Sequence, residues 1–204
     1  MLRFICTILC LGLTIAHTPA TAARCDVSGY DLAQLVQAEE ELAAKSTREN
    51  GERLLQLLPS RFCEFQSIYG YTEQGDETSF GPLYARGLHA VFPRLLEVVP
   101  ETVLAEKLVG LASEAQWQAD NVNALQSVFE ELFEAHPQLV VGKIMDLPPQ
   151  QSHAAIRFLY EGHEPPSRYF LSEQARAPLC QESARFCAIL KQVEAELVEE
   201  YKHH

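Results

Sequence analysis

The sequence predicts an all-α protein, and three observations lead there. Apolar residues recur three and four positions apart in nearly every patterned segment. No segment alternates convincingly with period two, and prolines stand at the joints between the patterned stretches. The first 23 residues are set apart and read as a cleavable export signal. Met1, Leu2 and Arg3 give a positive start, Phe4 to Ile15 is almost wholly apolar, and Pro19-Ala-Thr-Ala-Ala23 supplies the small residues of a cleavage site. The apolar run falls short of the about 20 residues a membrane span needs, so no stable membrane insertion is expected. Arg24 stands where a lipoprotein signal carries a small residue, which argues against a lipid anchor on Cys25. Residues 24–204 are then expected to form a single all-α domain, periplasmic or secreted, in a bacterial envelope.

The elements follow in order. From Asp31 to Lys45, Leu32, Leu35, Val36, Leu42 and Ala43 make an inward stripe, with Glu39, Glu40 and Glu41 assigned to solvent. Ser46 and Glu49 have capping-box spacing for a helix that carries Leu54, Leu55, Leu57 and Leu58 and stops at Pro59. Ser60 caps a short helix in which Phe62, Phe65 and Tyr69 share a face, and Gly70 ends it. The polar stretch from Tyr71 to Phe80, flanked by Gly70 and Gly81 with Gly75 inside, reads as an irregular exposed loop. Pro82 opens a helix with Tyr84, Leu88, Val91, Leu95 and Val99 in register and a kink at Pro93. Pro100 opens the next, with Leu104, Leu108, Leu111 and Ala115 inward.

Asp120 or Asn121 caps the strongest amphipathic helix, with Val122, Leu125, Phe129, Leu132 and Phe133 inside and Glu130, Glu131 and Glu134 outside; His136 and Pro137 close it. Shorter helices are expected over Gln138–Met145 and, after Pro148-Pro149, over Gln150–Glu161. The segment from Gly162 to Ser167 is a second loop with polyproline geometry. One last helix carries Leu179, Phe186, Cys187, Leu190, Val193, Leu197 and Tyr201, close to a heptad. Helices of about 12 to 18 residues joined by tight turns make antiparallel neighbours. The expected architecture is an irregular antiparallel bundle or a HEAT-like helical array.

Cys6 and Cys10 leave with the signal, and the four remaining cysteines, Cys25, Cys63, Cys180 and Cys187, predict two disulfides in an oxidising setting. On one continuous helix, Cys180 and Cys187 would lie about 10 Å apart along the axis, beyond the roughly 7 Å between Cα atoms that a bridge spans. Either the helix begins after Cys180 and the two pair locally, leaving Cys25 to Cys63, or both pair outward to the N-terminal segment.

The chain carries a formal charge of −12 with histidines neutral, and loss of Arg3 makes the mature protein more negative still. Such a surface repels nucleic acid and anionic lipid and suits a basic protein partner. His89, His136, His153 and His163 are scattered without metal-ligand spacing, and His203 and His204 form a tail, so no metal or cofactor is assigned. No Gly-x-Ser-x-Gly elbow is present and no catalytic residue is assigned. The glutamate runs Glu39–Glu41, Glu130-Glu131 and Glu199-Glu200 read as solvated faces. Aromatic residues beside acidic or irregular loops remain: Tyr69, Tyr71, Phe80 and Tyr84 around Gly75-Asp76-Glu77, and Tyr160, His163, Tyr169 and Phe170 around the proline loop. Rings anchor an interface and carboxylates select a basic partner, so Tyr71, Asp76, Glu77, Tyr84, His163 and Tyr169 are the candidate partner-binding residues. The expected product is a non-enzymatic binding module, monomer or homodimer. The rival classes are a helical envelope hydrolase using acidic residues and an envelope scaffold or adaptor.

The string Leu58-Pro59-x-x-Phe62-x-x-Phe65-x-x-x-Tyr69-Gly70-Tyr71, followed by Gly81-Pro82-Leu83-Tyr84, resembles a motif of small helical bacterial proteins, a class that includes candidate toxin-immunity proteins. The resemblance covers residues 58–84 and implies a helical fold and direct toxin binding; an immunity protein has no catalytic residue to transfer. The export signal and the four mature cysteines depart from that pattern and would place the toxin in the periplasm.

Overall fold

Proline placement sets many of the helix boundaries. The computed structural model describes residues 24–74, 77–162 and 170–202; the expected signal segment, Asp76, His163 and Tyr169 lie outside the described residues. Its helices are α1 (Leu32–Ala44), α2 (Arg48–Leu57), α3 (Phe62–Tyr69), α4 (Pro93–Val98), α5 (Glu101–Ala112), α6 (Asn121–Ala135), α7 (Pro137–Met145), α8 (Pro149–Phe158), α9 (Glu173–Glu182) and α10 (Ala184–Tyr201). Pro93, Pro137 and Pro149 each occupy the first position of a helix, where the missing N–H would have had no intrahelical partner. The fold is therefore all-α. The sheet among the described residues is a two-stranded hairpin between α3 and α4.

Sequence neighbours pack on one another, α1 on α2, α5 on α6, α6 on α7 and α9 on α10, while α10 also lies along α8 and α5 along α7. Their apolar faces share a core cluster in which Phe65, Phe92, Phe129, Phe158 and Phe186 are fully buried. Phe129 and Leu132 thus sit in the core, as their spacing on α6 predicts.

Several expectations need correction. The stretch from Tyr71 to Phe80 is not an irregular loop but a hairpin, β1 (Tyr71–Gln74) and β2 (Glu77–Phe80), paired antiparallel from Tyr71↔Phe80 to Gln74↔Glu77. Two residues, Gly75 and Asp76, link the paired ends, a short link that favours hairpins. The helix expected from Pro82 is instead two 3₁₀ turns, Tyr84–Arg86 and Leu88–Ala90, followed by α4. Gly87 separates the turns at φ 68°, a left-handed conformation that no helix continues through. The last helix is two helices, because Ser183 is extended (φ −138°, ψ 100°) and its hydroxyl accepts from the Phe186 N–H to cap α10. Caps also shift: Thr47, not Ser46, accepts at the start of α2, and α3 starts after Arg61 rather than Ser60.

The break at Ser183 decides the local pairing. Cys180 and Cys187 bridge with Cα atoms 5.1 Å apart, and Cys25 bridges Cys63 at 5.7 Å. Two disulfides fit a non-cytoplasmic setting. No helix among the described residues is long and apolar enough to cross a membrane.

A further correction concerns Glu39. The buried face of α1 is Leu35, Ala38, Glu39 and Leu42, a three-four-seven pattern in which the carboxylate takes an inward position. Ala43, expected inside, is exposed. Glu39 is 2 % exposed and is satisfied there: the Tyr69 hydroxyl donates to it at 2.7 Å and the Arg86 guanidinium at 2.7 Å. Arg86 also reaches Glu40 at 3.1 Å. A cation from the hairpin's exit segment is thereby tied to α1. Burial, with Glu39 beside it, pushes the Tyr69 phenol far above its ordinary range.

Candidate functional site

The hairpin is seated by close backbone contact. A Cβ on Gly81 would stand 2.3 Å from the Ile68 carbonyl oxygen and 2.8 Å from that of Ser67, so the chain there lies flat on α3. The Gly81 N–H donates to Gly70 O at 2.9 Å, and Leu83 N–H to Ile68 O at 2.9 Å. The side-chain amide of Gln118 donates to Tyr71 O at 3.1 Å, holding the inner strand from the α5–α6 connection. Asn121 completes the support: its oxygen accepts from Leu88 N–H at 2.8 Å, and its amide nitrogen donates to Tyr69 O and Tyr84 O at 2.9 and 2.8 Å. One buried carboxamide thus joins α6 to the end of α3 and to both 3₁₀ turns.

On this support three rings converge. Tyr71 and Phe80 are a cross-strand pair with centroids 6.3 Å apart, Phe80 and Tyr84 are 4.6 Å apart, and Tyr71 meets Tyr84 edge-on at 6.3 Å. Phe80 is 53 % exposed, the most exposed of the large apolar side chains among the described residues. The Tyr84 hydroxyl donates to the Asp120 carboxylate, which holds the phenol above its ordinary range. Asp120 itself has φ 62° and ψ −121°, a backbone conformation natural to glycine and costly for any other residue. An exposed aromatic face with a strained carboxylate at its side is thus built from the hairpin, the first 3₁₀ turn and the start of α6.

The sequence-derived candidates fall unevenly on this map. Tyr71 and Tyr84 come together, and Glu77 lies exposed at the start of β2. Phe80 joins them, although position alone places it only beside the loop, and Asp120, which local spacing assigns to a helix cap, stands next to Tyr84. Asp120 makes no capping hydrogen bond and turns to Tyr84 instead. Its role depends on a contact across 36 positions, for which no local pattern exists.

A separate cleft of about 570 Å³ opens between α6, α7, the end of α8 and α9. Phe133, Leu159, Tyr160, Phe170, Leu171 and Leu179 make its apolar walls, and Glu130 and Glu134 of α6 its acidic side. Glu130, assigned to solvent by sequence, is half-buried. Desolvation, reinforced by Glu134 and Glu131, pushes its carboxyl up to about 7. Tyr160 is 5 % exposed and packs edge-on against Phe170 at 5.6 Å; its hydroxyl has no hydrogen-bond partner among the described residues. Burial pushes this phenol well above its usual range, with Glu194 adding to the shift and Arg176 opposing it. Arg176 pairs with Glu194, both largely buried.

Among the described residues no group of three or more His, Cys, Asp or Glu side chains converges as a metal site. His153 Nε2 lies 2.8 Å from a Glu196 carboxylate oxygen. No known protein family, curated protein or solved structure matches this chain.

Proposed function

We propose that this chain is an exported protein-binding module, periplasmic or secreted, whose hairpin docks a basic protein. The observation that carries the reading is the ring cluster of half-buried Tyr71 and Tyr84 with exposed Phe80, held on a fixed backbone beside Asp120, with Glu77 exposed at the other end of β2. Rigid aromatic anchors lose little conformational entropy on binding, and neighbouring carboxylates in a strongly acidic molecule steer a basic partner. The resemblance of residues 58–84 to immunity-type proteins makes a toxin the partner class to look for, bound directly and without catalysis.

Affinity capture by the disulfide-bonded chain from its own envelope fraction tests this. The expected result is one basic protein that binds less well as salt rises. Phe80→Ala and Tyr71→Ala should release it faster, and Glu77→Lys should slow its association. A partner bound equally by all three variants overturns the hairpin assignment. Absence of any partner, together with cleavage of an envelope polymer by the purified protein, overturns the binding reading in favour of a hydrolase.

A further inference from the structure

We propose that the cleft between α6, α7, α8 and α9 is a second, independent site that binds a small amphiphilic amine, an apolar body carrying one protonated nitrogen. Its volume of about 570 Å³ is that of a small-molecule pocket. The walls are apolar and aromatic: Phe133, Tyr160, Phe170 and Leu179 offer ring faces and aliphatic surface to the body of a ligand. Carboxylates stand on one side, where Glu130 and Glu134 lie one helical turn apart on α6, and Gln138 and Ser172 add uncharged polar groups to the lining.

The charge of the occupant follows from what surrounds these carboxylates. No Lys, Arg or His lines the cleft among the described residues. Arg176, on the neighbouring helix α9, is engaged by Glu194. Two carboxylates on one turn, one of them half-buried, repel each other, and neither forms an ion pair among the described residues. An ammonium group beside them supplies a counter-charge, and aromatic walls add cation–π attraction. The Tyr160 hydroxyl is the second observation that asks for a ligand. Tyr160 lines the cleft at 5 % exposure, and its hydroxyl has no hydrogen-bond partner among the described residues. Leaving such a group unsatisfied is costly, and a polar atom of the occupant removes that cost.

The test uses three probes of one shape and different charge: 2-phenylethylamine, 2-phenylethanol and 3-phenylpropionate. Each is titrated into the full disulfide-bonded protein by calorimetry at pH 8. The amine should bind about tenfold more tightly than the alcohol, and the carboxylate most weakly. Glu130→Gln should lower amine affinity by about the same factor while leaving the alcohol unchanged. Ala175→Trp, at an exposed position on the cleft's edge, should block amine and alcohol together while leaving hairpin variants and partner capture unaffected. Equal binding of amine and alcohol, preference for the carboxylate, binding indifferent to Ala175→Trp, or no binding of any probe at millimolar concentration overturns the proposal.

Discussion

Glu39 occupies a position on α1 that a leucine would fill without cost, and its two partners are what make the carboxylate tolerable. Removing one partner of a buried pair leaves a charge with nothing to answer it, whereas replacing every member with apolar groups need not destabilise. Arg86 keeps about a third of its side chain in water. Arg86→Met should therefore cost about 2–4 kcal/mol, below the fully buried case. Adding Glu39→Leu and Tyr69→Phe should recover most of that loss, as urea denaturation of the single and triple variants will measure. Recovery failing in the triple variant would mean that Arg86 stabilises by packing instead. Glu130 gives the second prediction at this scale. Its carboxyl, raised by burial to about 7 from an ordinary 4.5, binds protons more tightly folded than unfolded. Stability from this group is complete below about 4.5 and is lost as pH rises through about 7. Tyr160, just past α8, is the titratable group coupled to it from another element and is itself near Arg176 and Glu194, while Glu134 and Glu131 share its helix. Glu130→Gln should raise the melting temperature at pH 8, leave it nearly unchanged at pH 4, and flatten the profile between. The Glu39 position was legible in the spacing of α1, but residue type outweighed position in the reading. Glu130 was not legible, because its burial comes from elements distant in sequence that close around one side of α6.

At the scale of elements, a regular apolar stripe made α6 legible, and prolines at the joints made α7 and α8 legible. The hairpin was not. Strands of four residues with polar, exposed outer positions present no period, and only the Gly75-Asp76 link carried a local signal. Of the site, the tyrosines were legible as rings beside a glycine-bounded segment, while their convergence with Phe80 and Asp120 is tertiary. Seating of the hairpin rests on Gly81. Its missing Cβ would press on backbone atoms of α3, which cannot rotate away. Gly81→Ala should therefore lift the hairpin from Ile68 and Ser67, weakening partner capture while retaining the helical circular-dichroism signal. A second readout is amide exchange, in which Leu83, bonded to Ile68 O, should lose protection. Unchanged exchange at Leu83 would show that α3 yields to the added methyl.

For the whole molecule, the two disulfides differ in what they constrain. Cys180–Cys187 closes a turn between consecutive helices across 7 positions, whereas Cys25–Cys63 spans 38 and fastens the segment before α1 to the first turn of α3. The longer closure removes more freedom from the unfolded chain. Reduction should thus loosen the N-terminal segment around Cys25 more than the α9–α10 corner, as limited proteolysis with and without reductant will register. Equal cleavage at both would show that the local bridge contributes as much as the long one. The choice between local and outward pairing lay open in the sequence because it depends on one extended residue, Ser183, inside an otherwise helical pattern.

Strand β2 is paired on one side only among the described residues, and its outer edge is answered at one point, where Arg24 donates to the Phe80 carbonyl at 2.7 Å. An open strand edge beside an exposed phenylalanine is also a template for a strand of another copy. Arg24, the residue next to the expected cleavage point, covers one carbonyl of that edge, and Arg24→Ala should raise the turbidity of concentrated protein if the edge templates self-assembly. A preparation trimmed past Arg24 would expose the Phe80 carbonyl in the same way, so turbidity should follow the N-terminus while the helical circular-dichroism signal stays unchanged.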